Sequence, residues 1–185
     1  MLVGGIGWSF WSREGRQWCV STGGDGRQHR GMAMTISISL EQPETFDAGG
    51  ATFKVLDDGS STSGRIGVVA AQLAPGWAGP PQHVHREHDE TFYVLTGVVR
   101  FTSGTDSLIA APGQLVTAPI GDPHTFANAD DQAPASLLCT VTPQRYIDYF
   151  RELSQLTPGT DGRLDPAEIV AVMARYATEP YRPQP

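Results

Sequence analysis

The chain has 185 residues, a length for one domain with or without appendages, and 13 Lys+Arg against 20 Asp+Glu give a net charge of −7. That acidic balance excludes a basic nucleic-acid footprint and a polybasic membrane-surface protein, and no apolar run approaches the ~18 residues of a transmembrane helix. Twenty-one glycines and 14 prolines, with charged residues at 18%, describe a turn-rich β protein rather than a helical bundle.

Residues 1–31 have neither a period of 2 nor one of 3.6. Tryptophans and arginines are scattered there among glycines, and Gly23-Gly24-Asp25-Gly26 lacks the Gly-Lys-Ser/Thr ending of a phosphate loop. The segment reads as a disordered N-terminal extension. No signal peptide is expected, because Leu2–Trp11 is short, Gly-rich and followed by Arg13–Glu14. The two cysteines, Cys19 and Cys139, are too few for a disulfide framework, and a reduced cytoplasmic protein is expected.

From Thr35 the pattern changes to short apolar or alternating runs: Thr35–Leu40, Ala51–Leu56, Ile66–Leu73, Thr91–Leu95, Val98–Thr102, Ser107–Ala110, Gln114–Ala118, His124–Ala127 and Ala135–Val141. Turn residues separate them, and many short strands so spaced indicate a sandwich or barrel, here over residues 32–142. Thr96-Gly97 reads as a hairpin turn, with glycine supplying the positive φ.

Residues 143–185 read as a helical appendage and tail. Thr142-Pro143 has the form of an N-cap and first helical residue, and Tyr146, Ile147, Tyr149, Phe150, Leu153 and Leu156 then share one face. Asp165-Pro166 with Glu168 opens a second helix, whose stripe is Ile169, Val172, Met173 and Tyr176. These stripes are expected to cover the barrel or to hold a homodimer. A proline-rich tail follows from Glu179. Between the helices, Thr157–Glu168 mimics a calcium loop, but Thr157 and Gly159 stand at its first and third positions. Calcium binding is therefore not expected.

Four of the five histidines lie in residues 83–124. His83 and His85, two apart, point to one face if they lie on a strand. Should His83, His85, Glu90 and His124 face one lumen, three imidazoles and a carboxylate would suit a divalent transition metal with positions left open. Phe92 and Val94 share the parity of Glu90, and Phe126 that of His124, so these side chains are expected to line a dry substrate pocket. His88, in the spacer between His85 and Glu90, is expected on the exposed rim of its loop.

His83-Val-His85-x4-Glu90-x6-Gly97 and Gly113-x5-Pro119-x-Gly121-x2-His124-x3-Asn128 resemble the two signature motifs of the cupin superfamily. The second matches at every fixed position; the first departs at its start, where six residues rather than five separate Gly76 from His83. The resemblance implies an all-β, antiparallel jelly-roll barrel, here with two C-terminal α-helices. It also implies one metal ion (Fe, Mn, Ni, Cu or Zn) on His83, His85, Glu90 and His124. Cupins with this spacing and a C-terminal helix resemble bacterial quercetin 2,3-dioxygenases, which implies a small phenolic substrate, O2, and Glu90 as both ligand and catalytic base. The alternatives are a non-redox metal enzyme (isomerase, cyclase or decarboxylase) and a small-molecule binding module without turnover.

Overall fold

Apolar side chains at every second position, broken by glycine and proline, fold here into two facing antiparallel sheets. The computed structural model describes Ile36, residues 43–156 and residues 165–183. The extension 1–31, the run Thr35–Leu40 with most of its residues, and the first eight residues of the calcium-loop mimic lie outside the described residues.

The larger sheet contains β1 (Thr45–Asp47), β2 (Ala51–Asp57), β3 (Gly67–Leu73), β5 (Asp89–Thr96), β8 (Leu115–Ala118) and β10 (Ala135–Thr142), in the order β1-β2-β3-β10-β5-β8. A second sheet holds β6 (Val99–Ser103), β7 (Asp106–Ala110) and β9 (Thr125–Asn128), in the order β7-β6-β9. The short strand β4 (His83–His85) pairs with β11 (Thr178–Pro180) on one edge and bridges to His124 on the other. Two helices follow the barrel strands, α1 (Tyr146–Leu153) and α2 (Pro166–Arg175). This is the antiparallel jelly roll with two C-terminal helices that the sequence implies.

Each long strand turns one parity inward: Ala51, Phe53 and Val55 on β2, Val69, Ala71 and Leu73 on β3, Phe92 and Val94 on β5, Leu137 and Val141 on β10. Together with Val99, Phe101 and Phe126 from the smaller sheet they form a single apolar core. Burial of this kind is the main favourable term in folding.

Three local expectations are corrected. Thr96-Gly97 is not a hairpin turn: β5 pairs with β8 and β10, whereas β6 pairs with β7 and β9. The chain crosses there between sheets, and a side chain at Gly97 (φ +71°) would meet the Ala135 backbone at 2.7 Å. Thr142 does not cap a helix, because it ends β10 opposite Asp89, and α1 begins at Tyr146 after the cis Thr142-Pro143 bond. Finally, Glu179 and Pro180 are not tail residues but belong to β11. The second helix starts as expected, with Asp165 accepting from the Ala167 N–H at 2.8 Å and Pro166 in the first turn.

Both helices lie on the barrel. Tyr146, Ile147 and Tyr149 of α1 and Val172 and Met173 of α2 are buried in the same core. Phe150 stacks on Phe53 at 5.3 Å and Phe46 at 6.0 Å between ring centroids. Of the two expectations for the apolar stripes, covering the barrel is the one these contacts realise.

Candidate metal centre

Strand β4 carries His83 and His85, β5 carries Glu90, and His124 immediately precedes β9. The antiparallel bridge between His83 and His124, with N–H···O distances of 3.0 and 2.9 Å, sets two of these rings side by side. All four residues are buried, and one ligand atom from each lies within 4.8 Å of the others.

The rings share an orientation. His83 Nδ1 lies 3.0 Å from the Pro81 carbonyl, His124 Nδ1 3.2 Å from the Asp122 carbonyl, and His85 Nδ1 2.9 Å from Thr178 Oγ1. With Nδ1 engaged outward, Nε2 of His85 and His124 faces the carboxylate, at 3.5 and 3.2 Å from Glu90 Oε2. The buried His85 Nε2 has no hydrogen-bond partner. An inward-facing, unpartnered imidazole nitrogen among two further imidazoles and a carboxylate is a donor set with room for a cation. The residues fit a divalent transition metal.

The electrostatics agree. Burial, reinforced by the neighbouring His124 and His85, lowers the His83 pKa to about 4, so this ring is neutral at pH 7, the form that binds a metal. Burial likewise lowers His85. For Glu90 burial opposes ionisation, but the hydrogen bond to His124 and the close imidazoles of His85 and His88 outweigh it and hold the carboxyl well below the usual range. Burial also opposes charge on His124, and there the Glu90 contact wins and raises the pKa.

His88 is not on an exposed rim. It is 4% exposed, its Nε2 is 3.6 Å from Glu90 Oε1, and that nitrogen has no hydrogen-bond partner. Its ring lies 3.8 Å from that of His85 and 4.3 Å from that of Tyr146. Thus Glu90 offers Oε2 to His85 and His124 and Oε1 to His88. The signal was available, since His88 shares the strand parity of Glu90 and Phe92.

A cavity of about 480 Å³ reaches this centre. Glu90 and His83 stand in its wall; the rest is largely apolar and aromatic, with Phe46, Phe53, Trp77, Phe92, Phe126 and Tyr149 prominent. Phe92 and Phe126 therefore lie where they were expected, whereas Val94 is fully buried in the core and is not part of the wall. Helices α1 and α2 contribute Tyr146, Phe150, Leu153, Ile169 and Met173, residues that sequence periodicity marked only as core. Burial drives the Tyr146 and Cys139 pKa values well up and Tyr149 to about 12, so all three stay neutral.

Asn128, at the end of the second motif, is structural. Its Nδ2 donates to the Ala74 carbonyl at 2.9 Å and the Ala133 carbonyl at 2.8 Å, tying two loops beside β9.

Two antiparallel sheets closed around a buried cluster of three histidines and one glutamate define a β-barrel protein able to hold a metal ion. Residues 70–141, which include all four of those residues, match the family model described as a cupin domain. Among solved structures, a predicted oxalate decarboxylase from Thermotoga maritima is 19% identical, with TM-score 0.51, over 60% of this chain and 99% of that one. The polyketide cyclase RemF from Streptomyces resistomycificus is 20% identical, with TM-score 0.50, over 59% and 80%. At such identity the likeness is one of fold. No curated protein sequence matches the chain. Among the described residues, no helix is long and apolar enough to cross a membrane.

Proposed function

We propose that the protein is a metal-dependent dioxygenase acting with O2 on a small, uncharged phenolic substrate. The observation that carries this reading is the cavity: about 480 Å³, walled by aromatic and aliphatic side chains, with Glu90 and His83 as polar groups at the metal centre. No lysine or arginine is among its described lining residues, so an anion such as oxalate or a sugar phosphate would find no side-chain counter-charge beyond the metal itself. A flat neutral ring system fits such a wall by stacking and apolar burial.

His83, His85, Glu90 and His124 would hold the metal, which when bound supplies Lewis acidity and redox capacity at the cavity floor. The chain's own contributions follow from the geometry. Phe92, Phe126, Trp77 and Phe150 exclude water and orient the ring. Glu90 is held as a carboxylate, the form that accepts a proton from a phenolic hydroxyl, and a phenolate is the electron-rich form that reacts with O2. His88, against Oε1, orients the carboxylate.

The test compares wild type with Glu90→Gln, each with its metal content measured, in aerobic and anaerobic assays on flavonols and other phenols. Glu90→Gln keeps size and one oxygen ligand but removes the base. It is expected to retain part of its metal while turnover falls by at least ~10²–10⁴. Metal-loaded wild type that transforms a phenol without consuming O2 would replace this reading by a non-redox metal enzyme. Ligand binding with no turnover in any assay would replace it by a binding module.

A further inference from the structure

The outward nitrogens of the three ligand histidines are held in two different ways. His83 and His124 each turn Nδ1 to a backbone carbonyl two residues earlier in the chain. His85 instead meets a side chain 93 residues away, the hydroxyl of Thr178 at 2.9 Å. Both residues are nearly sealed from solvent, at 1% and 3% exposure. The Thr178 hydroxyl lies 3.1 Å from the Tyr176 carbonyl, which can only accept and so offers the hydroxyl proton a place. With the proton there the oxygen is left as an acceptor, and His85 carries its proton on Nδ1. Its Nε2, buried and partnerless, then turns a lone pair inward, toward any cation among the four residues.

The strand bearing Thr178 is built to keep this register. β11 pairs with β4 so that Thr178 stands opposite His85 and Pro180 opposite His83. Arg86 N–H donates to the Ala177 carbonyl at 2.8 Å and Tyr181 N–H to the Gln82 carbonyl at 2.9 Å, clamping both ends of the ladder. Arg86 and Glu179 pair across it. The pairing therefore delivers one hydroxyl to one ring nitrogen.

We propose that Thr178 is a positioning residue of the metal centre: by accepting from His85 Nδ1–H it fixes the tautomer and the plane of the ring and so aims Nε2 at the metal. This rests on the reading of the four residues as a metal site. Outer partners of ligating histidines of this kind are typically worth ~10–100-fold in metal affinity.

The experiment uses the full chain, stripped with chelator and titrated with Co(II) or Zn(II), for wild type, Thr178→Val and Thr178→Ser. Valine keeps the shape and removes the acceptor; serine restores it. Thr178→Val is expected to weaken the metal by ~10–100-fold and to shift the Co(II) visible spectrum, with Thr178→Ser close to wild type. Nitrogen chemical shifts of the His85 ring in metal-free wild type at neutral pH are expected to show the proton on Nδ1. A valine variant that binds as tightly as a metal-binding wild type, or serine and valine weakening equally, overturns the positioning role and leaves the metal site standing. A proton on His85 Nε2 in the wild type also overturns it, without relying on any variant's folding. Wild type that binds neither metal removes the metal reading, and this role with it.

Discussion

Replacing Phe92 by alanine separates the two duties of the barrel interior, holding the fold and walling the substrate space. Phe92 is 1% exposed and packs against Phe101 at 5.3 Å and Phe126 at 5.0 Å between ring centroids. Truncating a sealed phenylalanine costs about 3–5 kcal/mol, from lost transfer energy plus an unfilled void, and the two aromatic pairs fall within that figure. Because Phe92 also borders the 480 Å³ cavity, the new space joins an existing one, and the loss should lie toward ~3 kcal/mol. At about 2–4 °C per kcal/mol for a chain of this size, the metal-free melting temperature should fall by roughly 6–12 °C. Thermal and urea unfolding of the chelator-treated protein measure it, and metal content should hold, since the Phe92 ring centroid lies 6.3 Å from that of His124. A loss below about 1 kcal/mol, or an emptied metal site, would refute this account of Phe92.

Further outcomes follow. A divalent metal at 100 times its dissociation constant should stabilise the fold by ~2.7 kcal/mol, an upward shift in melting temperature that His83→Ala and His124→Ala abolish. Gly79→Ala should prevent soluble expression, because at φ +79° its Cβ would sit 1.9 Å from the Phe126 carbonyl oxygen. Gly113→Ala, at φ +89° with nothing within 4 Å, should cost only ~1–2 kcal/mol in denaturant unfolding. Phe150→Asp places a charge between Phe46 and Phe53 and should lower the melting temperature clearly; an unchanged value would mean that α1 does not cap the barrel.

The barrel strands are legible because one face of each is buried, so alternation survives in the residues, as at Glu90, Phe92 and Val94. Alternation does not say which sheet a strand joins, and for that reason the crossing at Gly97 looks like a hairpin. The cap at Thr142 fails for a related cause. Its local chemistry suits a helix start, but pairing with Asp89 carries β10 through it, and tertiary pairing outweighs propensity. In the site, the resemblance of two short motifs marks His83, His85, Glu90 and His124, and the fold brings these four together. His88 is missed because a spacer between two motif residues reads as a solvated loop, whereas its parity with Glu90 turns it inward. Thr178 leaves no trace in the sequence at all, since nothing local relates a threonine to a histidine 93 positions earlier.

That separation also orders events during synthesis. Strand β4 lacks its partner on one edge until Thr178–Pro180 has been made, and 93 residues take ~5–20 s at bacterial or eukaryotic elongation rates. Once β10 has been made at Thr142, and until Thr178 follows, the nascent barrel can bring His83, Glu90 and His124 together while His85 lacks its outer partner. The four-residue cluster is therefore completed in two stages, and the order of those stages is written into the distance between two strands.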